Sequence, residues 1–177
     1  MNDEIPVSFQ DIFCSEIIVD RSAMLAPEFG AFVDRYGPEL TSLGKTIHIL
    51  PVSQVHLLTS FRNGYEWSNV KRALTLLSEN RALFPNSLDN SSWEALIDVN
   101  ELEEILKFLL IDLTVSDQLL LITSDFQMAM DVHMLHRMKM MQRSVLLSCF
   151  TADGTLRPYF TRSRSRYKLW ADGEKII

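Results

Sequence analysis

Cysteine is nearly absent from this chain, and several other signatures are missing with it. Only Cys14 and Cys149 occur, in the apolar settings IFCSEII and VLLSCF. Neither stands in a CxxC pair or at Cys/His ligand spacing, which excludes a disulfide framework and a zinc ribbon and predicts two reduced thiols in the core. Glycine and proline number six each, too few for a fibrous or low-complexity chain. No apolar run approaches the about 18 residues of a membrane-spanning helix. The opening MNDEIPVSFQ lacks the basic start and apolar stretch of a secretory signal. The expected compartment is therefore the cytoplasm, with no membrane partner. The GxSxG elbow, the Walker A loop and the GxGxxG turn are also missing, so neither a serine hydrolase nor a phosphate-cradling nucleotide site has support.

What is present describes a globular protein. The 177 residues are 47% hydrophobic and 10% aromatic, enough for one domain with a sizeable core. The net charge of −6 conceals a division along the chain. Residues 1–135 hold 8 Lys/Arg against 20 Asp/Glu, whereas residues 136–177 hold 9 against 3. An acidic body repels a polyanion, so any nucleic-acid partner has to be held through the basic C-terminal quarter. The expected organisation is a single domain over 1–160 and a basic C-terminal tail over 161–177.

Periodic segments alternate in type. EIIVD (16–20), TIHIL (46–50), QLLLITSD (118–125) and SVLLSCF (144–150) read as strands. Continuous apolarity in QLLLI implies burial on both faces and a central position. Between them lie helical patterns: from Pro27 to Leu43, with Gly37-Pro38 as a potential break; after Pro51; over 66–83, with Trp67, Val70, Ala73, Leu74 and Leu77 on one face; over 93–112; and over 126–142. FPNSLDNSS (84–92) and Ala152-Asp153-Gly154 are turn-rich. This alternation predicts a three-layer α/β fold with a central, mainly parallel sheet flanked by helices.

In open parallel sheets the functional crevice lies beyond the carboxyl ends of the strands. Asp20 follows EIIV directly, and Asp125 follows LLLITS. Grouped carboxylates at such a point repel one another unless a cation sits between them, and hard divalent ions prefer oxygen ligands. Each is equally an ordinary N-cap, its carboxylate accepting backbone N–H bonds at the start of a helix.

Val19-Asp20-Arg21-Ser22-Ala23-Met24-Leu25 resembles the first motif of the PIN-domain nucleases, an apolar strand, an Asp, one residue, a small hydroxyl residue and an apolar continuation. Leu121-Ile122-Thr123-Ser124-Asp125 resembles their late motif, and Ile49-Leu50-Pro51 their second strand and proline-led helix. The collinear match covers roughly residues 16–150. It implies a PIN-like fold in which carboxylates hold Mg²⁺ or Mn²⁺ for hydrolysis of RNA phosphodiester bonds. Asp20, Glu103 and Asp125 are the implied ligands, with Glu101, Glu104 and Asp98 competing for the place of Glu103. A protein partner of the antitoxin kind is also implied. The chain departs from the pattern two turns into the proline-led helix, where Leu57 or Leu58 stands in place of an acid. That departure keeps open a noncatalytic PIN-like module that binds RNA or protein.

RPYFTRSRSRYK (157–168) interleaves basic and aromatic residues, a composition suited to phosphate contacts and base stacking. Arg157, Arg162, Arg164, Arg166 and Lys168 are the candidate RNA contacts. The same stretch also reads as a polar terminus or a basic edge lying on the acidic body. Met128, Met130, Met134, Met138, Met140 and Met141 crowd one helix and fill a core or a subunit interface, so a homo-oligomer is among the expected assemblies. His133 and His136 stand at metal-ligand spacing without a third partner.

Overall fold

Runs rich in isoleucine, leucine and valine form the strands, and short polar breaks end them. The structure, a computed structural model, describes residues 6–60, 67–85, 98–111, 118–137, 144–163, 166–171 and 174–176. In 108–111 and beyond 160 only the backbone is described. Strands β1 (Glu16–Val19), β2 (Ile47–His48), β3 (Gln118–Ile122) and β4 (Ser144–Phe150) run parallel. β5 (Leu156–Pro158) closes the edge antiparallel to β4. The spatial order is β2-β1-β3-β4-β5, so QLLLI is central as expected.

Seven helices flank this sheet among the described residues: α1 (Phe9–Cys14), α2 (Arg21–Leu25), α3 (Phe29–Ser42), α4 (Pro51–Thr59), α5 (Trp67–Glu79), α6 (Glu101–Ile111) and α7 (Phe126–Arg137). Alternate residues of a strand point to opposite faces. Accordingly Ile17, Val19, Leu120 and Ile122 pack with Phe29 and Phe32 of α3 and Leu77 of α5. Ile18, Leu119 and Leu121 pack instead with Ile105 of α6 and Val132 of α7. Two apolar cores on two faces give an α/β fold whose five-stranded, mainly parallel sheet is flanked by helices.

Local chemistry explains where elements differ from the sequence expectation. β2 keeps two residues because Leu50 is already the N-cap of α4 and Pro51 occupies its first turn, where a missing N–H costs nothing. α3 continues through Gly37-Pro38. Proline withholds one helical hydrogen bond there, while Phe32, Val33 and Leu40 on either side stay buried. Cys149 is buried, but Cys14 is exposed at the end of α1 and is not a core thiol as expected; neither forms a disulfide. Trp67, assigned to the apolar face of α5, is 57% exposed, since it opens the helix one turn before Val70 reaches the core.

The stretch expected as a tail carries strand backbone. β6 (Phe160–Ser163), β7 (Arg166–Ala171) and β8 (Glu174–Ile176) pair antiparallel in a second, three-stranded sheet. Met138, Met140, Met141 and most of the 84–92 connection lie outside the described residues. No helix among the described residues is long and apolar enough to cross a membrane.

Candidate acidic site at the strand ends

Register brings the two motif strands to the same level. Val19 pairs with Ile122, so Asp20 and Thr123 leave adjacent strands side by side, and the Asp20 N–H donates to the Ile122 carbonyl at 3.2 Å. Asp20 is the N-cap of α2 and only 1% exposed. Its Oδ1 accepts from the Ala23 N–H at 2.8 Å, its Oδ2 accepts from Thr123 Oγ1 at 2.6 Å, and Ser22 Oγ donates to both oxygens at 2.8 and 2.9 Å. The small hydroxyl residues of the two motifs thus hold the first aspartate.

Thr123 links several elements. Its Oγ1 accepts the Asp125 N–H at 3.0 Å, and its carbonyl accepts the Tyr159 hydroxyl at 2.9 Å. The Ser124 N–H donates to Ser22 Oγ at 2.8 Å. Asp125 caps α7, its Oδ1 accepting the Gln127 and Met128 N–H groups at 2.8 and 3.1 Å. The N-cap reading of both aspartates is therefore realised, and Thr123 Oγ1 joins them, donating to Asp20 Oδ2 and accepting the Asp125 N–H.

The glutamate beside Asp20 is Glu101. It is 8% exposed, its Oε1 accepts the Arg21 N–H at 2.9 Å, and its Oε2 lies 3.8 Å from Arg21 Nε. Glu103, the expected ligand, points elsewhere: its side chain is 63% exposed and 3.3 Å from Lys107 Nζ. Glu104 joins the same lysine at 2.8 Å. Two residues along a helix rotate a side chain by about 200°, so Glu101 and Glu103 cannot share a direction. The separating signal was present in the sequence, since Glu101 lies four residues before Ile105, which is fully buried.

Burial pushes the Asp20 carboxyl up to about 7, and the neighbouring Glu101 charge pushes the same way, against the hydrogen bonds from Thr123, Ala23 and Ser22. Next to the pair opens a cleft of about 520 Å³ lined by Arg21, His56, Asp98, Glu101, Asp125 and Asp131 among others. Asp131 was not singled out in the sequence. It follows Asp125 and Met128 at helical spacing, with Gln127 Nε2 donating to its Oδ1 at 2.9 Å. Of the two residues that could stand at the departed motif position, Leu57 is fully buried and Leu58 half-buried.

The donors at this site are oxygens, as a hard divalent ion requires. Burial first, and Glu101 second, raise Asp20, and a cation beside the pair would favour its charged form. Among the described residues, however, no three His, Cys, Asp or Glu side chains are grouped to hold a metal. Asp20 and Glu101 form a pair, and Asp125 stands apart on its own cap. A pair suffices for Mg²⁺, which commonly takes one or two carboxylates and retains water or substrate oxygens elsewhere.

Of the remaining candidates, none whose side chain is described lines the cleft. Arg157 is exposed on β5, with Nη2 3.8 Å from Cys149 Sγ; the side chains of Arg162, Arg164, Arg166 and Lys168 are outside the described residues. His133 is buried and stacks on Phe160, centroids 3.9 Å apart, and desolvation, with Arg137 and His136 nearby, lowers its pKa. No protein-family model, curated protein or solved structure matches the chain.

Proposed function

We propose that the strand-end cleft is a divalent-metal-dependent ribonuclease site, as the resemblance of the Asp20 and Thr123-Asp125 motifs to those of PIN-domain nucleases implies. The observation that carries this reading is that Glu101, whose charge acts on the buried Asp20 carboxyl, lines a cleft together with further carboxylates. Asp20 and Glu101 would hold the ion, Mg²⁺ or Mn²⁺, with Asp125 at the rim of the same cleft. A bound ion there supplies an activated water and stabilises charge on a phosphodiester. Thr123 and Ser22 orient Asp20, the Arg21 backbone orients Glu101, and Arg21 offers a cationic group at the cleft wall.

Titrating Mn²⁺ into the protein by calorimetry should give saturable heat that Asp20→Asn abolishes, accompanied by Mn²⁺-dependent cutting of single-stranded RNA. Equal heats for the two proteins would remove the site's chemistry. A second reading, a noncatalytic RNA-binding or protein-interaction module, is favoured by the ungrouped carboxylates among the described residues and by a leucine, Leu57 or Leu58, in the place of the helix acid. It predicts RNA or partner binding that is indifferent to divalent ions.

A further inference from the structure

An acidic cleft does not attract RNA, so its grip on a substrate has to come from adjoining surface. Directly after Asp125 in the chain stands Phe126, which is 39% exposed, although phenylalanine has no polar group that gains from water. Gln127 and Met128 line the cleft, whereas the Phe126 ring lies against Tyr159, centroids 5.9 Å apart and tilted by 54°. Tyr159 is itself buried and is fastened by its hydroxyl to the carbonyl of Thr123, the residue that holds Asp20. Phe126 is thus an exposed ring on a rigid backing, tied by two bonds to the acidic pair. Arg157 of edge strand β5 is exposed, its Nη2 lies 3.8 Å from Cys149 Sγ, and its charge acts on the Tyr159 hydroxyl.

From this juxtaposition we infer that Phe126 is a stacking platform for an unpaired nucleobase, with Arg157 beside it taking a backbone phosphate, so that the substrate is single-stranded. The inference rests on the nucleic-acid reading of the cleft and adds to it the residue that would hold a base. An exposed aromatic face stacks any base, and a duplex hides those faces within its own stack. Among the described residues the other exposed large apolar side chains are Leu43 on the turn after α3, Trp67 at the start of α5 and Met134 farther along α7, none of which is a chain neighbour of a cleft-lining carboxylate.

The test uses the full chain in chelator, so that binding is read without cleavage. The probe is a single-stranded oligoadenylate carrying one fluorescent adenine analogue whose emission is quenched on stacking. Wild type should bind it and quench it. Phe126→Leu, which keeps apolar contact with Tyr159, should weaken binding by roughly 5- to 100-fold, the range one base–aromatic stack supplies, and lose the quenching. Phe126→Trp should restore both. The duplex form of the probe should bind more weakly than the single strand and be insensitive to either change. Equal binding and quenching by wild type and Phe126→Leu, or no binding by wild type, overturns the platform. Metal-dependent cutting is scored separately in Mn²⁺. Cutting unaffected by Phe126→Leu sinks the platform and spares the hydrolysis, while quenching without cutting does the reverse.

Discussion

Asp20 shows how one buried side chain carries both a cost and a use. Its carboxyl is raised to about 7 from the ordinary 3.8, first by burial and then by Glu101. A group whose folded pKa lies above its unfolded one contributes most stability below the unfolded value and loses it as pH rises through the folded value. Without metal the protein should therefore weaken between about pH 4 and pH 7. Asp20→Asn, which removes the charge and keeps the shape, should flatten that slope. At pH 8 the variant should be the more stable protein by a few kcal/mol, because each tenfold change in proton affinity is worth about 1.4 kcal/mol. Urea midpoints of the two proteins at pH 5 and pH 8 check this, and parallel pH dependences would mean that Asp20 is not desolvated. A residue that is destabilising when charged, yet supported by three hydrogen-bonding neighbours, is what a functional carboxylate looks like energetically.

Among the elements, the β4–β5 turn is the most exacting. Gly154 has φ +77°, and a Cβ there would lie 2.5 Å from the Ala31 carbonyl carbon and 2.6 Å from the Phe32 nitrogen. Asp153, exposed in the same turn, accepts from Thr151 and Thr155 and pairs with Arg35 of α3 at 3.2 Å. Gly154→Ala combines left-handed strain with a backbone clash and should cost about 2 kcal/mol or more, lowering the melting temperature by several degrees. An unchanged melting temperature would mean that the turn relaxes away from α3. This turn is legible in the sequence but the strand behind it is not, because Leu156-Arg157-Pro158 is too short for any period to be visible. β1, β3 and β4 were legible for the opposite reason, since burial on both faces leaves an unbroken apolar run. Glu101 was confusable with Glu103 because three acids share one helical turn and only Ile105 betrays the phase.

Across the whole molecule, charge is sorted more sharply than structure. The site is acidic, and the cations that would neutralise a polyanion belong to the last quarter of the chain. Arg157 is the one candidate contact whose side chain is described, and it lies on the edge strand that leads into Tyr159. If Arg157 meets a phosphate, Arg157→Gln should weaken single-stranded RNA of every sequence alike. The slope of log affinity against log salt should become shallower by roughly one. An unchanged slope in anisotropy titrations would assign the electrostatic contact elsewhere. The division of charge itself could be read from the sequence. The meander of β6 to β8 could not, because serine and arginine alternate over 162–166 and the apolar alternation of Tyr167 and Leu169 is too short to distinguish strand from coil.

The bond from Thr123 to Asp20 spans 103 residues, and β3 lies between β1 and β4 in the sheet. A chain still emerging from its ribosome, with β1 made and β3 not yet synthesised, carries at position 20 an ordinary exposed aspartate of ordinary acidity. The unusual carboxyl arises when the middle strand arrives. A proton taken up between about pH 4 and pH 7 during refolding should then report that Asp20 has been buried beside β3.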